Sequence, residues 1–145
     1  MLARGAFLAA ALLCGGACSK KAPELPEPPR QDVAISVTDA EKNIVAWNGL
    51  TVSVRGWLTI PCEGDSCAIL PVQMKAGQRW PEGAALSIAS ETLVEPAINA
   101  NQGREVILMG VLSAQCHRPP DLCTDRSPDI TPVSLTVLNP ATKDH

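Results

Sequence analysis

The feature that most limits what this chain can fold into is a duplication. Residues 49–58 read GLTVSVRGWL, and 54 positions later residues 103–112 read GREVILMGVL. Both fit the pattern G-x-x-V-x-[VL]-x-G-x-L, and both run on to a cysteine, Cys62 and Cys116. In the first copy Leu50, Val52, Val54 and Leu58 alternate with Thr51, Ser53, Arg55 and Thr59, the period of a strand with one buried face. The second copy keeps Val106, Leu108 and Leu112 in register. It adds Ile107, Met109 and Val111 on the opposite face, which predicts a strand covered on both sides. Gly56 and Gly110 hold the same place in the middle of each copy. Mid-strand glycine costs roughly 0.5–1 kcal/mol and is tolerated where a strand bends sharply or bulges. Long strands that coil in the middle are what a small barrel requires.

The segments around the copies supply the remaining elements. In TDAEKNIVAWNG, Thr38 and Glu41 have capping-box spacing, Asp39 and Glu41 complement a helix dipole, and Asn48-Gly49 is a stop signal. Ala40, Ile44 and Trp47 share one face of that helix, which assigns Trp47 to the core. Strands are expected at about 68–73 and 84–89, a short helix over 93–100 with Pro96 near its start, and a last strand in TPVSLTVL, residues 131–138.

The order helix, three strands, short helix, two strands is that of the five-stranded Greek-key barrel called the OB-fold. On this order and on the repeated pattern, residues 38–138 resemble the small OB-fold modules of bacterial envelope proteins and of the tRNA-anticodon-binding class. The resemblance implies that the two copies are strands one and four, neighbours that close the barrel. The duplication would then be shared geometry. A small β-sandwich built from duplicated halves is the alternative.

The N-terminus has one positive charge, Arg4, an apolar run over residues 6–13 and small residues at Gly15, Gly16 and Ala17. That is the layout of an export signal over residues 1–17, too short to span a bilayer. The junction GGAC-SKK resembles the lipobox of bacterial lipoproteins, with Gly15 where that family usually has leucine. The resemblance implies lipidation of Cys18 and, through Ser19, sorting to the periplasmic face of an outer membrane; plain cleavage near Ala17, giving a soluble periplasmic or secreted protein, is the alternative. Residues 18–31 carry Pro23, Pro26, Pro28 and Pro29 and no apolar period, so they form an extended tether. At roughly 3 Å per residue it would hold the domain some 30–40 Å from the membrane surface. The folded domain is expected over 32–140, with a disordered tail over 141–145.

Each copy ends in a cysteine with a partner just beyond it: Cys62 with Cys67, and Cys116 with Cys123. In an exported chain such pairs read first as two local disulfides, each closing a hairpin. The competing reading is a zinc site made by these four thiolates with His117 alongside, though the spacings are not those of a zinc ribbon. No cofactor is implied. No catalytic constellation stands out: there is no HExxH, no phosphate-binding glycine loop and no Cys-x-x-Cys. A binding module is therefore expected, and not an enzyme.

Nucleic acid fits the chain poorly. The formal charge is −3, there is no tyrosine, the single phenylalanine lies in the signal, and with Trp47 in the core only Trp57 and Trp80 are left for stacking; single-strand binding needs a basic groove lined with aromatics. The candidate contact residues are Trp57, which points away from the core, Trp80 in a turn-rich loop, and His117 and Arg118 between the second pair of cysteines. OB-folds bind on the face of strands two and three, between the loops that join strands one to two and four to five. Those loops carry the two cysteine pairs. The expected function is a membrane-anchored, non-catalytic interaction module of the bacterial envelope, with an envelope protein or glycan as partner. A structural assembly component and a cysteine-rich metal-binding protein are the alternatives.

Overall fold

The two copies become strands β2 (Thr51–Leu58) and β5 (Glu105–Ser113) in our computed structural model, and they pair with each other, antiparallel. The structure describes residues 25–62, 67–75, 77–79, 83–90, 92–115 and 129–138. Val54 lies opposite Leu108, Val52 opposite Gly110 and Gly56 opposite Val106. Because Val54 and Leu108 are also equivalent positions of the repeat, the two copies are related by a local two-fold axis through that pair. The hydrogen bonds obey it. Gly49 N–H donates to the Leu112 carbonyl at 2.7 Å, as Gly103 N–H donates to the Leu58 carbonyl at 3.1 Å. Leu112 N–H donates to the Leu50 carbonyl and Leu58 N–H to the Arg104 carbonyl, both at 3.0 Å.

Each letter of the repeated pattern thereby acquires a position. The first glycine enters its strand with φ +80° at Gly49 and +71° at Gly103, a conformation that favours glycine, and ties the last leucine of the other copy. The valines and leucines of the pattern, Val52, Val54, Leu58, Val106, Leu108 and Leu112, are buried. The second glycine sits where a neighbouring strand crosses too close for a side chain.

Strands β3 (Ala68–Leu70), β4 (Leu86–Ile88) and β6 (Asp129–Val137) complete a ring in the order β2-β3-β4-β6-β5 and back to β2. All its pairings are antiparallel except β4 with β6, which run parallel, Ile88 facing Ile130. A helix, α2 (Glu95–Asn99), connects β4 to β5 and contributes Ile98 to the core. This is the OB-fold order in a closed five-stranded barrel. The two-layer sandwich is excluded, because the duplicated strands share one sheet. Ile69, Leu86 and Ile130 join the copies' inward residues in a single core.

Several local expectations are corrected. A short strand, β1 (Ala34–Ser36), precedes the first helix and pairs parallel with β2, Ile35 opposite Val54; three residues are too few to show a period. Helix α1 (Val37–Lys42) is capped by Ser36, not Thr38: Ser36 Oγ accepts from Asp39 N–H at 3.0 Å and donates to Asp39 Oδ2 at 2.7 Å. The strand delivers Ser36 in extended geometry (φ −74°, ψ 156°), which is what an N-cap needs, and Thr38 is left exposed. The helix ends at Asn43, whose side chain donates back to the Asp39 carbonyl at 2.9 Å, well before Asn48-Gly49. Trp47 is nevertheless in the core. Leu50, expected inside, is exposed at the rim just ahead of β2. β3 stops at Leu70 because Pro71 cannot donate to a ladder. The outer row of β5, Ile107, Met109 and Val111, is only half-buried, so that strand is not covered on both sides. In β6, Gly110 faces Pro132 and Met109 faces Ser134, leaving Val133 as the extra residue of a bulge that accommodates the proline.

Candidate functional site

One edge of β2 is taken up by β5; the other is shared. β1 pairs with Ser53, Val54 and Arg55, and β3 takes over at Trp57 and Leu58. Gly56 lies at the seam between the two neighbours. A Cβ there would fall 2.6 Å from the Leu70 carbonyl oxygen and 2.7 Å from Val37 Cγ2, so only glycine lets the strand and the start of α1 converge. The seam opens outward as a cleft of about 290 Å³. β1 forms one wall, Pro71 one end and the Gly56 backbone part of the floor, and Arg55, Trp57 and Glu105 complete the lining.

These three side chains come together through the β2–β5 register. Trp57 and Glu105 are cross-strand partners, and Arg55 reaches diagonally to donate from Nε to Glu105 Oε1 at 2.8 Å. Arg55 is 58% exposed and Glu105 17%, so the carboxylate is held against the barrel and the guanidinium extends over it. Trp57 is half-buried, with Leu70 as its partner on β3. The arrangement places a rigid aromatic face next to a charge pair that is locally neutral. It can stack a flat or C–H-bearing ligand and offer it both donors and an acceptor.

Of the residues singled out in the sequence, Cys62 and Cys67 are bonded to each other. Both are buried in the core cluster, and as a disulfide neither is a thiolate available to zinc. The bond closes the tip of the β2–β3 hairpin, whose last rungs are Thr59 N–H to the Ala68 carbonyl and Ala68 N–H to Thr59 Oγ1, both 3.0 Å. Among the described residues no group of three or more His, Cys, Asp and Glu side chains assembles. Cys18, Trp80, Cys116, His117, Arg118 and Cys123 lie outside the described residues. Of the four candidate contact residues, Trp57 alone is therefore placed.

The face of β3 and β4 on which binding is expected is flanked by two loops, and residues 63–66 and 116–128 of those loops lie outside the described residues. Ile69 and Leu86 point into the core, and on the opposite side Ala68, Leu70 and Ser87 are also buried. Among the described residues an open concavity lies at the β1–β2–β3 seam. Arg55 and Glu105 differ in what the sequence says of them. Arg55 shares the outward row with Trp57 and was legible there. Glu105 is the repeat equivalent of Thr51, and only antiparallel pairing brings it beside Trp57.

No protein family matches the chain, and no curated protein does. Among solved structures it is similar to the OBody AM3L15 bound to hen egg-white lysozyme, at 22% identity over 66% of this chain and 82% of that one, with a TM-score of 0.43. It is likewise similar to the OBody AM3L09 bound to hen egg-white lysozyme, at 20% identity over 66% of this chain and 87% of that one, with a TM-score of 0.42. The barrel assignment stands on strand order and register, which are those of an OB-fold.

Proposed function

We infer that the chain is an exported protein, lipidated at Cys18 and held at the bacterial envelope by residues 18–31, whose barrel is a binding module and not a catalyst. The observation that carries the binding part is the seam cleft, where a half-buried tryptophan on a strand paired along both edges lies beside an exposed arginine. A tryptophan so placed adds little to a core it does not enter, but its rigidity lowers the ordering cost of recognition. The export part draws support from the signal-like residues 1–17 and the lipobox-like GGAC. A Cys62–Cys67 disulfide suits an oxidising compartment.

Two measurements test the reading. Growth with labelled palmitate should mark the wild-type chain and leave C18A unmarked; labelling of C18A, or none of the wild type, overturns the anchor. The chain from residue 19 onward, without signal or lipid, should co-sediment with isolated cell envelopes, and W57A in it should weaken that association about tenfold, the size of a lost aromatic contact worth about 1.4 kcal/mol. Equal sedimentation of the two chains overturns the cleft as the binding site.

A further inference from the structure

We propose that the seam cleft is a saccharide site for a neutral, polyhydroxylated ring, an assignment that rests on the binding-module reading above. Trp57 offers a fixed apolar face to the C–H side of a sugar. Beside it, Arg55 uses its Nε on Glu105, which leaves four of the guanidinium's five N–H donors, and Glu105 keeps Oε2 as an acceptor. Planar donors next to a carboxylate match vicinal hydroxyls, each of which both donates and accepts. The competing ligand chemistries meet an obstacle in the same lining. A phosphate or carboxylate approaching Arg55 meets Glu105, and a cation approaching Glu105 meets Arg55, at the 2.8 Å of their own contact. An apolar peptide would bury two charged groups without replacing the water on them. The formal charge of −3 opposes polyanions.

Size agrees with this assignment. About 290 Å³ is the lower end of the ligand-pocket range of roughly 300–1,000 Å³, room for about one or two sugar rings. One wall is β1, and just before it Ser53 Oγ donates to the Gln31 carbonyl at 3.0 Å, so the cleft opens on the side of the barrel where the tether arrives.

The experiment is a titration of the full ¹⁵N-labelled chain in detergent micelles, following the indole N–H resonances, with Trp57 assigned by its absence in W57F. The probes are the neutral disaccharides N,N′-diacetylchitobiose and cellobiose, and a proline-rich peptide with the sequence of residues 22–30. A saturable shift of the Trp57 signal is expected with a disaccharide, at a dissociation constant on the order of 1 mM, while Trp47 stays in place. In W57A the remaining resonances should not respond, and an undisturbed Trp47 signal certifies its fold. R55K keeps the charge but loses the planar fork, and should weaken binding about fivefold. No shift of Trp57 up to about 50 mM disaccharide, or a shift with the peptide alone, overturns the saccharide assignment. If W57A still weakens co-sedimentation with envelopes in that case, the ligand class is wrong and the binding module stands; if it does not, both fall.

Discussion

The two copies of the repeat agree on the inside of the barrel and disagree on the outside. Inward, Val52, Val54, Gly56 and Leu58 are matched by Val106, Leu108, Gly110 and Leu112 about a local two-fold axis. Outward, Thr51, Ser53, Arg55 and Trp57 are answered by Glu105, Ile107, Met109 and Val111. The shared residues are those whose backbone geometry or burial the closure of the barrel dictates. The outward positions carry no such demand, so what distinguishes the copies there is available to function. The cleft forms on the polar copy, with Glu105 as the other strand's single contribution.

The sharpest way to break the comparison is to give both mid-strand glycines a side chain. A Cβ at Gly110 would lie 2.5 Å from the Thr131 carbonyl oxygen and 2.8 Å from Ile130 Cγ1, much as one at Gly56 meets the Leu70 carbonyl at 2.6 Å. The obstructing atoms include backbone that cannot move without parting a pair of strands. Gly56→Ala and Gly110→Ala should each cost about 3 kcal/mol, measured by urea unfolding. A loss below about 1 kcal/mol at one site alone would show that the equivalence is of sequence and not of packing.

This pair also marks how far the sequence could be read. Repetition with period-two burial was enough to predict two long neighbouring strands, and the order of elements was enough for the barrel. β1 is illegible because three residues have no period, and Ser36 is not recognisable as a cap because its role depends on the strand before it. The half-exposed row Ile107, Met109 and Val111 looked like a buried face, since composition alone does not say whether a second layer exists. At the site, Trp57 was legible from its outward parity. The seam beside Gly56 and the arrival of Glu105 are products of register, which no local pattern encodes.

The next largest effect concerns the ends of the copies. Cys62–Cys67 staples the tip of the hairpin that follows the first copy. Replacing both cysteines by serine should cost about 2 kcal/mol, the chain-entropy value for so short a loop, read as a drop in the urea midpoint with unchanged slope. An unchanged midpoint would mean that the hairpin is set by its ladder, with Thr59 and Ala68 sufficient to hold it. A smaller difference separates the entry glycines. Gly49→Ala meets open space, so only its positive φ is penalised, by about 1 kcal/mol, whereas at Gly103 the Ile60 side chain occupies the place of a Cβ. Gly103→Ala should therefore be the more destabilising of the two in thermal unfolding, with I60A narrowing the gap. If the order is reversed, the two-fold relation ends at the strands and does not reach their entries.

The smallest effect expected is at the charge pair, and its smallness is the point. Arg55 is 58% exposed, so its contact with Glu105 is screened by water despite a 2.8 Å separation. A double-mutant cycle with R55A and E105A should give a coupling of about 0.3 kcal/mol, falling further in 1 M salt. A pair that contributes so little to stability, joining the polar outward row of β2 to Glu105 at the start of β5, is free to engage a ligand. A coupling above about 1.5 kcal/mol that survives high salt would make Arg55 and Glu105 a clamp across β2 and β5. The polarity of the first copy would then have a structural cause, and the contrast between the copies would lose its bearing on function.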